Sequence, residues 1–290
     1  VAVVPKGQAH VFWQAVHSGA VKAGKEFNIT IEWNGPANEV EYSQQIEIVE
    51  NFINRHVDGI MLAPSERKAM VGVIDKASKA GIPVVIFDSG ADTENYASFV
   101  ATDNYAGGVL AAKRMGELLH GKGQVAVIAT IPGGASTLAR EAGFEETLAK
   151  EFPEIKVVAK QFGMADYARS LQVTEDILTA NPGLNGLFAS NESSSVGAAQ
   201  ALKARSLVGK LPLVGFDASP ALQEDLKNGV FDSLVVQNPY KMGYEGVKAM
   251  SEIFAGRKPA RHIDSGVALV KKDDLSKPDV QALLNPPLVF

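Results

Sequence analysis

From its first residues the chain repeats one unit: a short β-branched run, a loop, then a segment with apolar residues every three or four positions. Residues 1–4 read as a strand, followed by Phe12, Val16, Gly19, Ala20, Ala23 and Phe27 on one helical face. Residues 29–33 read as the next strand. After the turn-rich Asn34-Gly35-Pro36, a second helix carries Ile46, Val49, Phe52 and Ile53. Residues 59–62, a helix near 66–79 and residues 84–87 extend the run. Strands with little polar alternation, interleaved with helices, predict a parallel sheet covered on both faces.

Near residue 124 the rhythm restarts: strands at 125–129, 156–159, 187–189 and 213–216, with helices near 135–150, 167–180 and 193–204. The wording recurs too. Asp58-Gly59-Ile60-Met61-Leu62-Ala63 is echoed by Asn185-Gly186-Leu187-Phe188-Ala189, and Ile82-Pro83-Val84-Val85-Ile86-Phe87-Asp88 by Leu211-Pro212-Leu213-Val214-Gly215-Phe216-Asp217. Apolar strands resemble one another by composition, but a proline before the strand and an aspartate after it recur together. Two similar α/β lobes, each a doubly wound parallel sheet, follow. After Ser233 there remain a strand (233–236), a helix near 240–255 and a strand (267–270), too little for a third core. These pieces must join the existing sheets, so the chain crosses between lobes more than once through a multi-strand hinge. The expected boundaries are 1–103 plus 238–266 for the N-terminal lobe, and 104–237 plus 267–290 for the C-terminal lobe.

The 290 residues carry a net charge of −5 and no Lys/Arg run longer than two, which argues against a nucleic-acid partner. No apolar stretch approaches the roughly 18–20 residues of a spanning helix, so membrane insertion is not expected. Cysteine is absent, and the five histidines are scattered without metal-binding helical spacing. No metal and no cofactor is expected. There is no phosphate loop, no dinucleotide-binding glycine fingerprint and no nucleophile elbow. Catalysis is not expected either, and no catalytic residue is assigned.

In open parallel sheets, ligands sit beyond the carboxyl ends of the strands. That rule selects Lys6 and His10 after the first strand, Ser65 after the third, and Asp88 and Ser89 after the fourth. In the second lobe it selects Gly133, Ser136, Asn191 and Asp217. Facing lobes would bring them to one cleft. A carboxylate can accept from two adjacent hydroxyls, and Asn191 and Gln237 both donate and accept, as a hydroxyl does. Phe12, Trp13 and Tyr167 can cover the C–H faces of a sugar ring. Duller roles compete: an aspartate after a strand also caps helices, Phe12 lies on its helix's apolar stripe, and Arg140 can face solvent. Trp13, one step off that stripe, reads as less suited to a core role.

With those residues in place, the chain resembles the periplasmic solute-binding proteins of sugar ABC importers, of the ribose-binding type, over essentially its whole length. The resemblance rests on Gly59-Ile60-Met61-Leu62-Ala63-Pro64, the run from Ile82 to Ser89, Thr102-Asp103-Asn104-Tyr105-Ala106-Gly107-Gly108 and Ala139-Arg140-Glu141-Ala142-Gly143-Phe144. Phe188-Ala189-Ser190-Asn191-Glu192, Val214-Gly215-Phe216-Asp217 and Gln237-Asn238-Pro239 complete it. It implies that Phe12, Trp13 and Tyr167 wall the sugar, that Asp88 is the first-lobe carboxylate, and that Arg140 binds the ring oxygen and a hydroxyl. It further implies that Asn191, Asp217 and Gln237 are second-lobe and hinge contacts, and that Asp103 stands at the first hinge crossing. Ser89 replaces the arginine of the ribose binders, Lys6 a small polar residue, and His10 a frequent asparagine. Another pentose, a hexose or an inositol is therefore as open as ribose, and the Pro5-Lys6 start adds a furanose-like signal as a lesser alternative. The resemblance implies a periplasmic or lipid-anchored extracytoplasmic monomer that delivers its sugar to a membrane permease. The rival is the effector domain of a LacI-type transcription regulator, whose discriminating N-terminal helix-turn-helix the sequence does not show.

Overall fold

A computed structural model describes residues 1–288. The first sheet contains β1 (Ala2–Val4), β2 (Glu32–Trp33), β3 (Ile60–Leu62), β4 (Val84–Phe87), β5 (Ser98–Ala101) and β11 (His262–Asp264). Its order is β11-β5-β4-β3-β1-β2, and every pair is parallel. The second contains β6 (Lys122–Ala129), β7 (Glu154–Phe162), β8 (Gly186–Ala189), β9 (Leu213–Phe216), β10 (Ser233–Gln237) and β12 (Val267–Lys271). Its order is β12-β10-β9-β8-β6-β7, antiparallel only between β10 and β12. The two orders are the same wiring read twice. The echoed segments fall on matching strands: β3 with β8, and β4 with β9.

Helices cover both faces of each sheet because successive strand residues point to opposite sides. In the first lobe Val3, Met61 and Val85 pack under α1 (Val11–Phe27) and α9 (Pro239–Phe254). Val4, Ile60 and Ile86 pack under α2 (Tyr42–Asn54) and α3 (Val71–Lys79). In the second, Val127, Phe188 and Val214 meet α4 (Asn104–Leu118) and α5 (Ala135–Glu151). Ile128, Leu187 and Leu213 meet α6 (Tyr167–Ala180), α7 (Glu192–Ala204) and α8 (Pro220–Lys227). A last helix, α10 (Pro278–Leu284), follows β12.

After its fifth strand each half hands the next helix to the other: α4 packs on α5, and α9 on α1. The chain passes between the sheets at 102–103, at 238 and at 265–266. Two of these passages are tied together, Ser265 N–H donating to the Ala101 carbonyl at 2.9 Å, with the Thr102 and Ser265 hydroxyls 3.2 Å apart.

Several expectations shift. The strand at 29–33 shrinks to Glu32–Trp33, the helix at 66–79 begins at Val71 after a turn, and the strand at 156–159 lengthens to Glu154–Phe162. β5, β11, α4, α8 and α10 have no counterpart in the sequence reading. α4 escaped it for a physical reason. Its Gly107, Gly108, Ala111 and Ala112 are buried small residues that leave little apolar periodicity, selected because the helix lies hard against its neighbours.

Candidate functional site

Asp88 and Asp217 leave the ends of β4 and β9 in the same way. Both have left-handed backbones (φ 60° and 72°), and their N–H groups donate to Val100 and Val235, on the fifth strand of each lobe, each at 2.9 Å. Aspartate tolerates this conformation better than most residues. Neither serves as a helix N-cap, so the capping alternative gives way. Both side chains are buried in one interlobe cleft, lined also by Lys6, His10, Phe12, Trp13, Arg140, Asn191 and Gln237.

Charge is dense here. Arg140 is buried, donating through Nε to Asn104 Oδ1 at 2.8 Å and through Nη1 to the Ser190 carbonyl at 3.0 Å, with its guanidinium 3.9 Å over the Phe216 ring. Burial pushes its pKa down, while Asp217 and Asp88 support the charge. Burial pushes Asp217 up to about 6, against the pull of Arg140 and of the bond that Gln237 Nε2 donates at 2.7 Å. Gln237 Oε1 is buried without a hydrogen-bond partner, an acceptor that calls for a donor. Lys6 Nζ lies 2.7 Å from Asp88 Oδ2 and donates to Ser136 Oγ of the opposite lobe at 2.9 Å. The contact with Asp88 is an ion pair outside hydrogen-bond angles, so Oδ2 keeps its capacity to accept.

Ser89, Tyr167 and Asp103 stand outside this lining. Ser89 Oγ accepts from Ser136 N–H at 3.1 Å across the lobes. Tyr167 sits one layer back, its hydroxyl donating to Glu192 Oε1 at 2.8 Å and its ring edge-on to His10 at 5.4 Å. Asp103 is exposed at the crossing and caps α4, accepting from Ala106 N–H at 2.9 Å. Asn191 does both jobs: it lines the cleft and caps α7 by accepting from Ser194 N–H at 2.9 Å.

Glu39 and Glu192 line the cleft but were not anticipated. Glu39 follows the second strand within a turn-rich stretch, where the strand-end rule would have reached it. Its Oε1 accepts from His10 Nδ1 at 2.9 Å and Trp13 Nε1 at 3.0 Å. Burial opposes charge on both partners and is outweighed by their pairing, which holds Glu39 down at about 2 and raises His10 to about 9. A second, more apolar cavity adjoins through Phe12, Asp217 and Gln237 and is bounded by Leu283, Leu284 and Pro286. Beyond the residues shared with the first, its polar side chains are Ser219, Gln223 and Asn285.

Trp13 departs from expectation. It is 3% exposed, packed in the first-lobe core with its ring 6.2 Å edge-on from Phe87, while Phe12 is only half-buried. The apolar stripe underestimates burial here because Phe87 and Glu39, remote in sequence but of the same lobe, close over the ring, Glu39 accepting from its Nε1. Trp13→Ala should cost about 3–5 kcal/mol of stability in urea denaturation of the sugar-free protein. A loss below about 1 kcal/mol would return Trp13 to a cleft-wall role alone.

Residues 1–258 match the family model described as periplasmic binding protein domain. The D-allose-binding periplasmic protein of Escherichia coli (strain K12) is 30% identical over 257 residues, covering 86% of this chain and 82% of that protein. An ABC transporter solute-binding protein from Agrobacterium vitis, solved with bound D-fucose, superposes with a TM-score of 0.95 at 38% identity, over 98% of this chain and 99% of that one. A carbohydrate transporter solute-binding protein from Agrobacterium radiobacter, in complex with D-arabinose, gives 0.94 at 34% identity, over 98% of both chains. Matching lobes, one shared polar cleft and whole-length similarity converge: the chain belongs to the periplasmic binding protein family, among the sugar-binding solute-binding proteins of ABC transporters.

Proposed function

We propose that this protein captures a neutral monosaccharide by closing two lobes around it, and delivers it outside the cytoplasm to an ABC permease without chemical change. The observation that carries this reading is the matched pair Asp88 and Asp217, presented from equivalent strand ends into one buried cleft. Hydroxyl donors would satisfy Gln237 Oε1 and both aspartates, while Phe12 and Trp13 offer apolar faces to a ring. A sugar touching both lobes only when they are shut would shift the open–closed equilibrium by that difference in contacts. We place the lobes at 1–103 with 238–266 and at 104–237 with 267–290; residues 289–290 lie outside the described residues. No helix among the described residues is long and apolar enough to cross a membrane. A monomer held at a periplasmic or lipid-anchored position fits this role.

Lys6, His10 and Arg140 face Glu39, Asp88, Glu192 and Asp217, so the cleft's charges are largely met from within. That balance favours an uncharged guest over a sugar acid or amino sugar. A thermal-shift screen across D-arabinose, D-fucose, D-ribose, D-allose, tagatose and xylitol tests the reading. A ligand at about 100 times its Kd should stabilise the fold by about 2.7 kcal/mol. No shift with any of these sugars would sink it. Acid should weaken binding: hydroxyls donating to Asp217 favour its carboxylate, so the free protein holds more protons there than the complex. Affinity should therefore fall as pH drops below about 6, the raised pKa of Asp217, in calorimetric titrations at pH 7 and pH 5.

A further inference from the structure

Glu192 is buried in the first turn of α7, yet its carboxylate serves the other lobe. Its Oε1 accepts from Val11 N–H at 3.2 Å and its Oε2 from Phe12 N–H at 3.0 Å, the first two amides of α1. Tyr167 donates its hydroxyl to the same carboxylate at 2.8 Å. α1 has no cap of its own, because the His10 ring is turned away. Nδ1 of that ring lies 2.9 Å from Glu39 Oε1, and Nε2 lies 3.0 Å from the Ala165 carbonyl of the second lobe. Both partners are acceptors, so both ring nitrogens must donate and the ring is an imidazolium.

We propose that Glu192 is a positioning residue that caps α1 from across the cleft and thereby holds Phe12 at the cleft wall against the bound sugar, with Tyr167 bracing the carboxylate from one layer behind. This rests on the sugar-binding reading above. The first amides of a helix lack intrahelical acceptors and carry partial positive charge. Glu192 places one carboxylate between two such ends, those of α1 and of its own α7. When the lobes part, the α1 amides return to water and Tyr167 loses its link to α1, so the contact exists only in the shut form. Its effect therefore falls on release, with capture left alone.

Stopped-flow kinetics with D-arabinose and D-fucose, on the wild type, Glu192→Gln and Glu192→Ala, tests the assignment. Glu192→Gln keeps one acceptor oxygen but loses the charge; release should quicken about tenfold, and about a hundredfold in Glu192→Ala, since bonds to charged groups are the stronger ones. Association rates should stay within about twofold of wild type. The melting temperature of the sugar-free variants should match that of wild type, while the sugar-bound variants melt lower. Wild-type release rates in both variants would overturn the proposal, as would a sugar-free melting point lowered as far as the sugar-bound one. The same comparison runs with whichever ligand of the thermal-shift screen the wild type binds; if it bound none of them, the sugar-binding reading would be at fault, and the cap would fall with it.

Discussion

Arg140→Ala is expected to abolish useful sugar binding, because its buried guanidinium supplies positive charge to both Asp217 and Asp88. The guanidinium bonds Asn104 Oδ1 and the Ser190 carbonyl and stacks on Phe216, so its removal strands two buried acceptors and uncovers a ring. Removing one partner of a buried charge network costs about 3–5 kcal/mol, which corresponds to a loss of roughly two to three and a half orders of magnitude in affinity if it falls on the shut form. Arg140→Lys keeps the charge but not the planar fork, and should fall between the two. Without the cation Asp217 should titrate higher still, so the weakening by acid should begin at a higher pH than in the wild type. Calorimetric titration with the best sugar of the screen reads all of this. An Arg140→Ala protein that binds as tightly as wild type would remove the residue from the site.

A large stability effect should also come from a glycine. A Cβ on Gly243 would overlap the Val16 carbonyl, and one on Gly19 the Tyr240 carbonyl, because α1 and α9 cross with their backbones in contact. Gly108 and Gly143 make the equivalent crossing of α4 and α5 in the other lobe. The obstacle in each case is backbone, which cannot rotate away. Gly243→Ala should therefore cost about 3 kcal/mol or more in urea denaturation, at or beyond the upper end of ordinary overpacking. Since α1 carries His10, Phe12 and Trp13 at its cleft end, binding should weaken with it. Gly72 in α3 is the contrast: nothing lies near its missing Cβ, and Gly72→Ala should stabilise by about 0.5–1 kcal/mol. Equal losses in the two variants would show that helix crossing is not the cause.

Much of this architecture is written in local order. Short β-branched runs mark the strands and a period of 3.6 marks most helices, and the paired Pro-before, Asp-after signature puts Asp88 and Asp217 at the ends of matching strands, β4 and β9. The strand-end rule then reached Lys6, His10 and Asn191 as well, because which end of a parallel strand faces a cleft follows from chain direction alone. What local order does not carry is which surfaces meet. Glu192 caps a helix 181 residues away, Lys6 reaches Ser136 across 130, and α4 and α9 each serve the lobe they do not follow. Trp13 lies off its helix's apolar stripe yet is buried, because Phe87 and Glu39, far from it in sequence, close over its ring. A residue's periodicity reports the face its helix turns to its own sheet. Burial by the opposite lobe, and the pairing of charges across the gap, enter the free energy only once both lobes stand side by side.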